Sequence, residues 1–138
     1  SKVPSEKAFA SMLIKNLGFQ INRNPGIFNL LIEQFQAYFK GELKAFKFPL
    51  DLRLGTPFQQ KVWKTLLTIP YGETRSYKWM AKSINNPDSS RAVGNANGQN
   101  PLSIIIPCHR VVRENGALGG YTGGIQIKRY LLDLEKAS

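Results

Sequence analysis

The stretch SYKWMAKSINNPDSSRAVGNAN, residues 76–97, reads as two short helices joined by a turn. Ser76 is placed to cap the first, which the apolar spacing predicts over Tyr77–Ile84. Asn85-Asn86-Pro87 breaks it, and Asp88, Ser89 and Ser90 each qualify as the cap of a second helix through Arg91-Ala92-Val93-Gly94-Asn95-Ala96-Asn97. Helix, short turn and capped helix make the outline of a helix-turn-helix. The second helix is built of small residues, and its Gly94 costs about 1 kcal/mol relative to alanine. Two readings account for that: tight packing against another helix, or close approach of something outside. Arg91, near the first turn, is the basic residue best placed to enter a nucleic-acid groove; its bland alternative is a solvated surface arginine.

Working outward, Gly55-Thr56-Pro57 punctuates the chain and is the expected domain boundary, dividing residues 1–56 from 57–138. Thr56 can cap and Pro57 suits the first helical position of a helix whose apolar face is Phe58, Val62, Trp63, Leu66 and Leu67, stopped by Pro70-Tyr71-Gly72. In the first part, Phe9, Met12, Leu13 and Leu17 predict a helix between Glu6 and Leu17, and Asn24-Pro25-Gly26 breaks the pattern. Phe28, Leu31, Ile32, Phe35, Tyr38 and Phe39 predict a second helix, ended by Gly41. Phe46 to Leu54 alternates around Pro49 and reads as an extended linker or edge strand. At the far end, Gln126–Glu135 reads as a last helix, apolar at Ile127, Tyr130, Leu131 and Leu134.

Between these helices lies IIIPCHRVV, residues 104–112, which holds the chain's only cysteine and only histidine side by side. A free cysteine is usually a small buried hydrophobe. Neighbours in a strand also point to opposite faces, so Cys108 and His109 could not meet in one. Pro107 disfavours a regular ladder, which predicts a strand at Ile104–Ile106 followed by a turn carrying the pair, bridged directly or by a water. Further on, Gly119-Gly120-Tyr121-Thr122-Gly123-Gly124 sets two hydroxyl side chains between glycine pairs, where backbone can approach a ligand closely.

Composition narrows the classes. A single cysteine excludes an internal disulfide and suits a reducing interior. One cysteine and one histidine cannot complete a four-ligand Cys/His zinc site, and no metal or cofactor is expected. No apolar run approaches the roughly 20 residues that span a membrane, and no signal peptide is visible, so neither a membrane nor a secretory route is expected. The net charge of +10 is spread along the chain and favours polyanions, nucleic acid first.

Taken together, the motifs resemble those of the O6-alkylguanine-DNA alkyltransferases. Ile106-Pro107-Cys108-His109-Arg110-Val111 is similar to that family's active-site motif, and Arg91-Ala92-Val93-Gly94 with Asn100-Pro101 to its recognition helix and hinge. Gly72-Glu73-Thr74-Arg75-Ser76-Tyr77 resembles its tyrosine-bearing turn. Tyr121-Thr122-Gly123-Gly124 and Leu131-Leu132-Asp133-Leu134-Glu135 resemble its substrate loop and final helix. They run in family order from about Pro57 to Glu135. Residues 1–56 carry little signature, and the lobe there is either divergent or without its first strands.

The resemblance implies a mixed α/β (α+β) fold: a small N-terminal α/β lobe and a mainly helical C-terminal domain with a winged-helix-like helix-turn-helix and a short strand leading into the active-site turn. It implies a single irreversible transfer of an alkyl group from guanine O6 to Cys108. His109 would take the thiol proton through a water and Glu135 would orient the imidazole. Asn100 would order the turn. Tyr77 would donate toward the guanine ring and help rotate the DNA phosphate. Thr122, through its amide or hydroxyl, would donate to O6, Tyr121 would wall the pocket, and the Val111 carbonyl would read the exocyclic amine. Because O6 is hidden in a duplex, the base must be flipped out. Ala92 and Gly94 would let the helix lie in the minor groove, with Arg91 taking the place of the extruded base.

The implied partner is double-stranded DNA carrying O6-alkylguanine, met by a monomer inside the cell, in nucleoid or nucleus. The alternatives are a non-catalytic binder of alkylated DNA, which the presence of Cys108 opposes, and a helix-turn-helix regulator with a sensor cysteine.

Overall fold

Thr56 closes a capping box with Gln59: the Thr56 hydroxyl accepts from the Gln59 amide at 3.1 Å, and the Gln59 side chain accepts from the Thr56 amide at 2.9 Å. With Pro57 in the first turn, this fixes where the central helix starts. In the computed structural model, which describes residues 27–137 apart from Pro49 and Leu54, the order is α1 (Ile27–Phe39), α2 (Pro57–Leu66), β1 (Arg75–Ser76), α3 (Tyr77–Ser83), α4 (Ser90–Gly98), a 3₁₀ turn (Cys108–Arg110), β2 (Val111–Val112) and α5 (Ile125–Ala137). The helix expected between Glu6 and Leu17, and the break at Asn24-Pro25-Gly26, lie outside the described residues.

Helix α1 ends as its glycine predicts. Gly41 takes φ +78, and the Gly41 and Glu42 amides bond back to the Tyr38 and Ala37 carbonyls, both at 2.9 Å. The segment after it stays close to α1 without forming a ladder. The Gln34 side chain pairs with both backbone groups of Lys47, at 2.8 and 2.6 Å, so a side chain does what a neighbouring strand would do. Of the two readings of Phe46–Leu54, extended linker or edge strand, the described residues take the first, with Phe46, Phe48, Leu50 and Leu52 half-buried against the core.

One apolar cluster joins α1 to everything after it: Leu31, Phe35 and Tyr38 share a core with Val62, Trp63, Leu66, Ile69, Met80, Val93 and Leu131. Each fully buried aliphatic side chain in it is worth roughly 1.5–3 kcal/mol. Trp63 also donates its indole N–H to the Ala96 carbonyl at 2.9 Å, locking α2 onto α4. Leu67 departs from the predicted face. α2 stops at Leu66, so the chain turns away and leaves Leu67 42% exposed.

Helices α3 and α4 form the expected pair. Ser76 caps α3 by accepting from the Trp79 amide at 2.9 Å, and Asn85 takes φ +59 to turn the chain. Ser89 occupies the cap position of α4, although its hydroxyl donates to the Asn86 carbonyl at 2.6 Å and leaves the helix amides alone. Among the small residues of α4, Ala96 serves helix packing, buried against α2. The packed face of α4 is Val93, Ala96 and Asn97, while Arg91, Ala92 and Asn95 are exposed and Gly94 is half-buried.

The strand expected at Ile104–Ile106 does not form. Asn100 accepts from the Leu102 amide at 2.9 Å and donates to the Ile106 carbonyl at 2.7 Å, folding the segment back on itself. Ile104 sits at φ +78, and only a single bridge joins Ser103 to Ile106. The run is apolar because it is buried throughout, and a short apolar run does not by itself separate a strand from a buried loop. The strand comes after the 3₁₀ turn instead: β2 pairs in parallel with β1, Arg75 opposite Val111 and Ser76 opposite Val112. This small sheet anchors the end of the turn beside the start of α3.

Candidate active site

The Cys-His pair lies in a 3₁₀ turn and not in a strand. The turn's tight winding replaces the alternation of a strand, and Cys108, His109 and Arg110 are all buried. Their side chains reach different surroundings. Cys108 lines a cavity of about 330 Å³, shared with Tyr77, Gly94, Asn97, Gly98, Gly120, Tyr121 and Thr122. His109 and Arg110 face α5, where Glu135 waits.

Glu135 is a buried hub. Its Oε2 accepts from Tyr38 Oη at 2.6 Å, His109 Nε2 at 2.7 Å and Arg110 Nη2 at 3.0 Å. Its Oε1 accepts from Arg110 Nε at 2.8 Å. Burial pushes this carboxyl up, but the hydrogen bonds from His109, Arg110 and Tyr38 and the neighbouring positive charge outweigh it and hold the group well below the usual carboxylate range. An ionised Glu135 requires the proton on His109 Nε2, which leaves Nδ1 as an acceptor lone pair. That Nδ1 is buried and has no hydrogen-bond partner among the described residues. Burial also pushes the imidazole down, against the hydrogen bond and charge of Glu135, which favours the neutral ring with its Nδ1 lone pair.

The thiol is held neutral as well. Burial pushes Cys108 up to about 11, opposed by an Asn100 hydrogen bond, the charge of Lys128 and a backbone hydrogen bond. A nucleophilic sulfur here needs a nearby proton acceptor. Tyr77 is half-buried with its phenol pushed up, first by burial and then by Cys108, so it keeps its proton and can donate. Gly119 makes room for it. At φ +73, a Cβ on residue 119 would lie 2.9 Å from Tyr77 Oη.

Five residues singled out in the sequence thus meet at one cavity: Cys108, Tyr77, Tyr121, Thr122 and Gly94. Asn100 lies beneath it, tying the turn, and His109 and Glu135 lie behind the cysteine. The Thr122 hydroxyl is already engaged, donating to the Gly98 carbonyl at 3.0 Å. Val111 is not on the cavity wall, and its carbonyl accepts from Lys128 at 2.6 Å. Arg91 and Ala92 do not touch the cavity. Arg91 lies one turn before Gly94 on the same flank of α4 and is solvent-exposed.

Sequence reasoning missed four participants. Tyr38 had only the look of a core aromatic, yet from α1 it donates a hydrogen bond to Glu135. Arg110 stood in the motif without a role, and it pairs twice with Glu135 and donates to the Ile69 carbonyl at 2.8 Å. Lys128 is fully buried on α5. It donates to the Val111 and Gly120 carbonyls at 2.6 and 3.2 Å and also to the Leu118 carbonyl. Asn97 lines the cavity unnoticed. A charged residue at an apolar helix position was the available signal for Lys128; no pattern marked the others.

The comparisons point one way. Residues 57–137 match the family model described as 6-O-methylguanine DNA methyltransferase, DNA binding domain. A methylated-DNA–protein-cysteine methyltransferase from Mycobacterium tuberculosis (strain ATCC 25618 / H37Rv) is 60% identical over 114 residues, covering 83% of this chain and 68% of the relative. The crystal structure of M. tuberculosis OGT in complex with DNA superposes with a TM-score of 0.78 at 60% identity, covering 80% of this chain and 68% of that one. O6-methylguanine-DNA methyltransferase from the archaeon Pyrococcus kodakaraensis superposes with a TM-score of 0.71 at 31% identity, over 95% of this chain and 80% of that one. With a thiol on a cavity wall, a histidine–glutamate pair behind it and a family match over its whole second part, this chain belongs to the 6-O-methylguanine DNA methyltransferase family.

Proposed function

We propose that this chain repairs O6-alkylguanine in double-stranded DNA by moving the alkyl group onto Cys108, once per molecule. The observation that carries this reading is the placement of the only cysteine: on the wall of a cavity, backed by the buried His109–Glu135 pair, beside the small-residue flank of α4. In the reaction the Sγ–C bond forms as the C–O6 bond breaks, and the electron pair leaves with guanine. The thiol proton passes through a water to His109 Nδ1, the lone pair kept free by the Nε2–H bond to Glu135. Tyr77 meets the leaving base with its phenolic proton. The net exchange is one thiol proton for one alkyl group. The thioether product has no good leaving group, so water does not regenerate the thiol.

The other assignments follow from what each group has left to offer. With the Thr122 hydroxyl on Gly98, its backbone amide is the donor to O6. The Val111 carbonyl takes the guanine exocyclic amine, Tyr121 walls the pocket and Asn100 orders the turn. Residues 57–138 form the DNA-binding and alkyl-transfer domain and residues 1–56 a lobe that supports it. The hydrogen bond from Tyr38 to Glu135 favours that division of labour. The protein works inside the cell, where its DNA substrate is, and its +10 charge supplies salt-dependent, sequence-independent affinity.

The test is an intact mass taken after incubation with a duplex carrying O6-methylguanine. A gain of about 14 Da, one methyl replacing one proton on the nucleophile, mapped to Cys108 is the expected result. Unchanged mass with tight binding would overturn the transfer.

Base extrusion rests on α4, with Ala92 and Gly94 admitting the minor groove and Arg91 filling the gap in the stack. Arg91→Ala is expected to slow transfer from duplex DNA by on the order of ten- to a hundredfold, the worth of a few kcal/mol of unstacking. Transfer from free O6-benzylguanine should stay within about twofold, since no stack is opened. Equal losses on both substrates would remove Arg91 from this role.

Lys128 acts as a positioning residue. It clasps the substrate loop through Leu118 and Gly120 and the active-site strand through Val111, and its charge opposes the rise of the Cys108 thiol. Lys128→Met is expected to slow the reaction of Cys108 with iodoacetamide at neutral pH by roughly tenfold, one unit of thiol pKa. Lys128→Arg should recover part of the loss. An unchanged iodoacetamide rate in the folded variant would leave Lys128 a purely structural role.

A further inference from the structure

Asn97 has no work in the transfer chemistry. It sits on the packed face of α4, 8% exposed, and lines the cavity together with Cys108. Neither its Oδ1 nor its Nδ2 has a hydrogen-bond partner among the described residues. Asn100, three residues on, shows the usual state of a buried amide here, with both ends engaged. A buried amide with two idle ends is rare and unfavourable, and an apolar side chain of the same size would fill the space without that penalty. Asn97 therefore brings an unpaired amide to the wall of the cavity that Cys108 shares.

The edges of the flipped base have other partners in the proposed reaction: Tyr77, the Thr122 amide and the Val111 carbonyl. The alkyl group is among the parts without one, and it is brought to Cys108 on the wall that Asn97 shares. We infer that Asn97 selects the alkyl group. It favours substituents that carry a hydrogen-bonding oxygen, such as hydroxyalkyl, over apolar ones of the same size. A methyl group sets little hydrocarbon against the amide; a larger apolar group would set more. This inference rests on Cys108 as the alkyl acceptor and concerns only which group is transferred.

The test uses three duplexes, identical except for O6-methyl-, O6-propyl- or O6-(2-hydroxyethyl)guanine at one position. Propyl and hydroxyethyl are close in size and differ in a methyl against a hydroxyl. Single-turnover rates, with the adduct on Cys108 identified by mass, give the hydroxyethyl-to-propyl ratio. Intrinsic reactivity cancels when that ratio is compared between wild type and variant. In Asn97→Leu the ratio is expected to fall by roughly fivefold or more, the worth of one buried hydrogen bond. Asn97→Ala, which removes the amide without adding bulk, should move it the same way if the leucine variant does not fold. A ratio left unchanged in the folded variants, including a uniform loss on all three duplexes, overturns the inference. Failure of wild type to acquire even the methyl group would instead sink the transfer reaction itself.

Discussion

Glu135→Gln is expected to destabilise the folded protein by about 3–5 kcal/mol at pH 7, the usual result of stripping one partner from a buried ion pair. The carboxylate accepts from Tyr38, His109 and Arg110 with both oxygens. A glutamine has one acceptor oxygen, and its NH₂ would confront donors. Arg110, 8% exposed, would keep its charge beside the Ile69 carbonyl and the Tyr71 ring with no anion to pair it. The pH dependence gives the loss a signature. The folded carboxyl lies well below its unfolded value of about 4.3. Its ionised form therefore contributes stability that is fully present above pH ~4.3 and is lost as pH falls toward the folded value. Urea unfolding of wild type and Glu135→Gln should show the full gap at pH 7 and 5, narrowing below pH ~4 by up to about 1.4 kcal/mol per pH unit. A gap that widened on acidification would show that the carboxylate is not the stabilising species.

Cys108→Ala is expected to abolish alkyl transfer while leaving DNA binding in place, a separation that distinguishes an enzyme from a binding module. The side chain is small, and truncating it in a buried site costs the fold little, about 1 kcal/mol. Nothing on the exposed flank of α4 changes, so affinity for an O6-methylguanine duplex, read by fluorescence anisotropy, should survive. Transfer should fall by on the order of 10⁴-fold or more, because no other thiol exists to take the group. A mass gain that persisted in Cys108→Ala would identify a different acceptor. Loss of binding together with transfer would mean that Cys108 supports the fold, and the separation would have failed.

The two predictions draw on different sources of knowledge. Cys108 was legible in the chain: the only cysteine beside the only histidine, after a proline that breaks the ladder. So were the start of α2 at Thr56-Pro57, the cap of α3 at Ser76 and the glycine end of α1, because capping and turn chemistry are local. The strand at Ile104–Ile106 was misread because the side chain that cancels it, Asn100, acts through hydrogen bonds to Leu102 and Ile106 that spacing does not reveal. Leu67 was misplaced by a single residue of helix length.

The local sequence alone determined the helix pair, the reactive turn and the order of the motifs, since each depends on residues within a few positions of one another. Tertiary structure alone decided what surrounds the Cys-His pair. Tyr38 reaches Glu135 across 97 residues, His109 across 26 and Arg110 across 25, and Lys128 reaches Val111 across 17. Only the packed chain brings these groups into one buried volume. There the low polarity that holds the thiol neutral also makes each of these charges and hydrogen bonds count for more than it would in water.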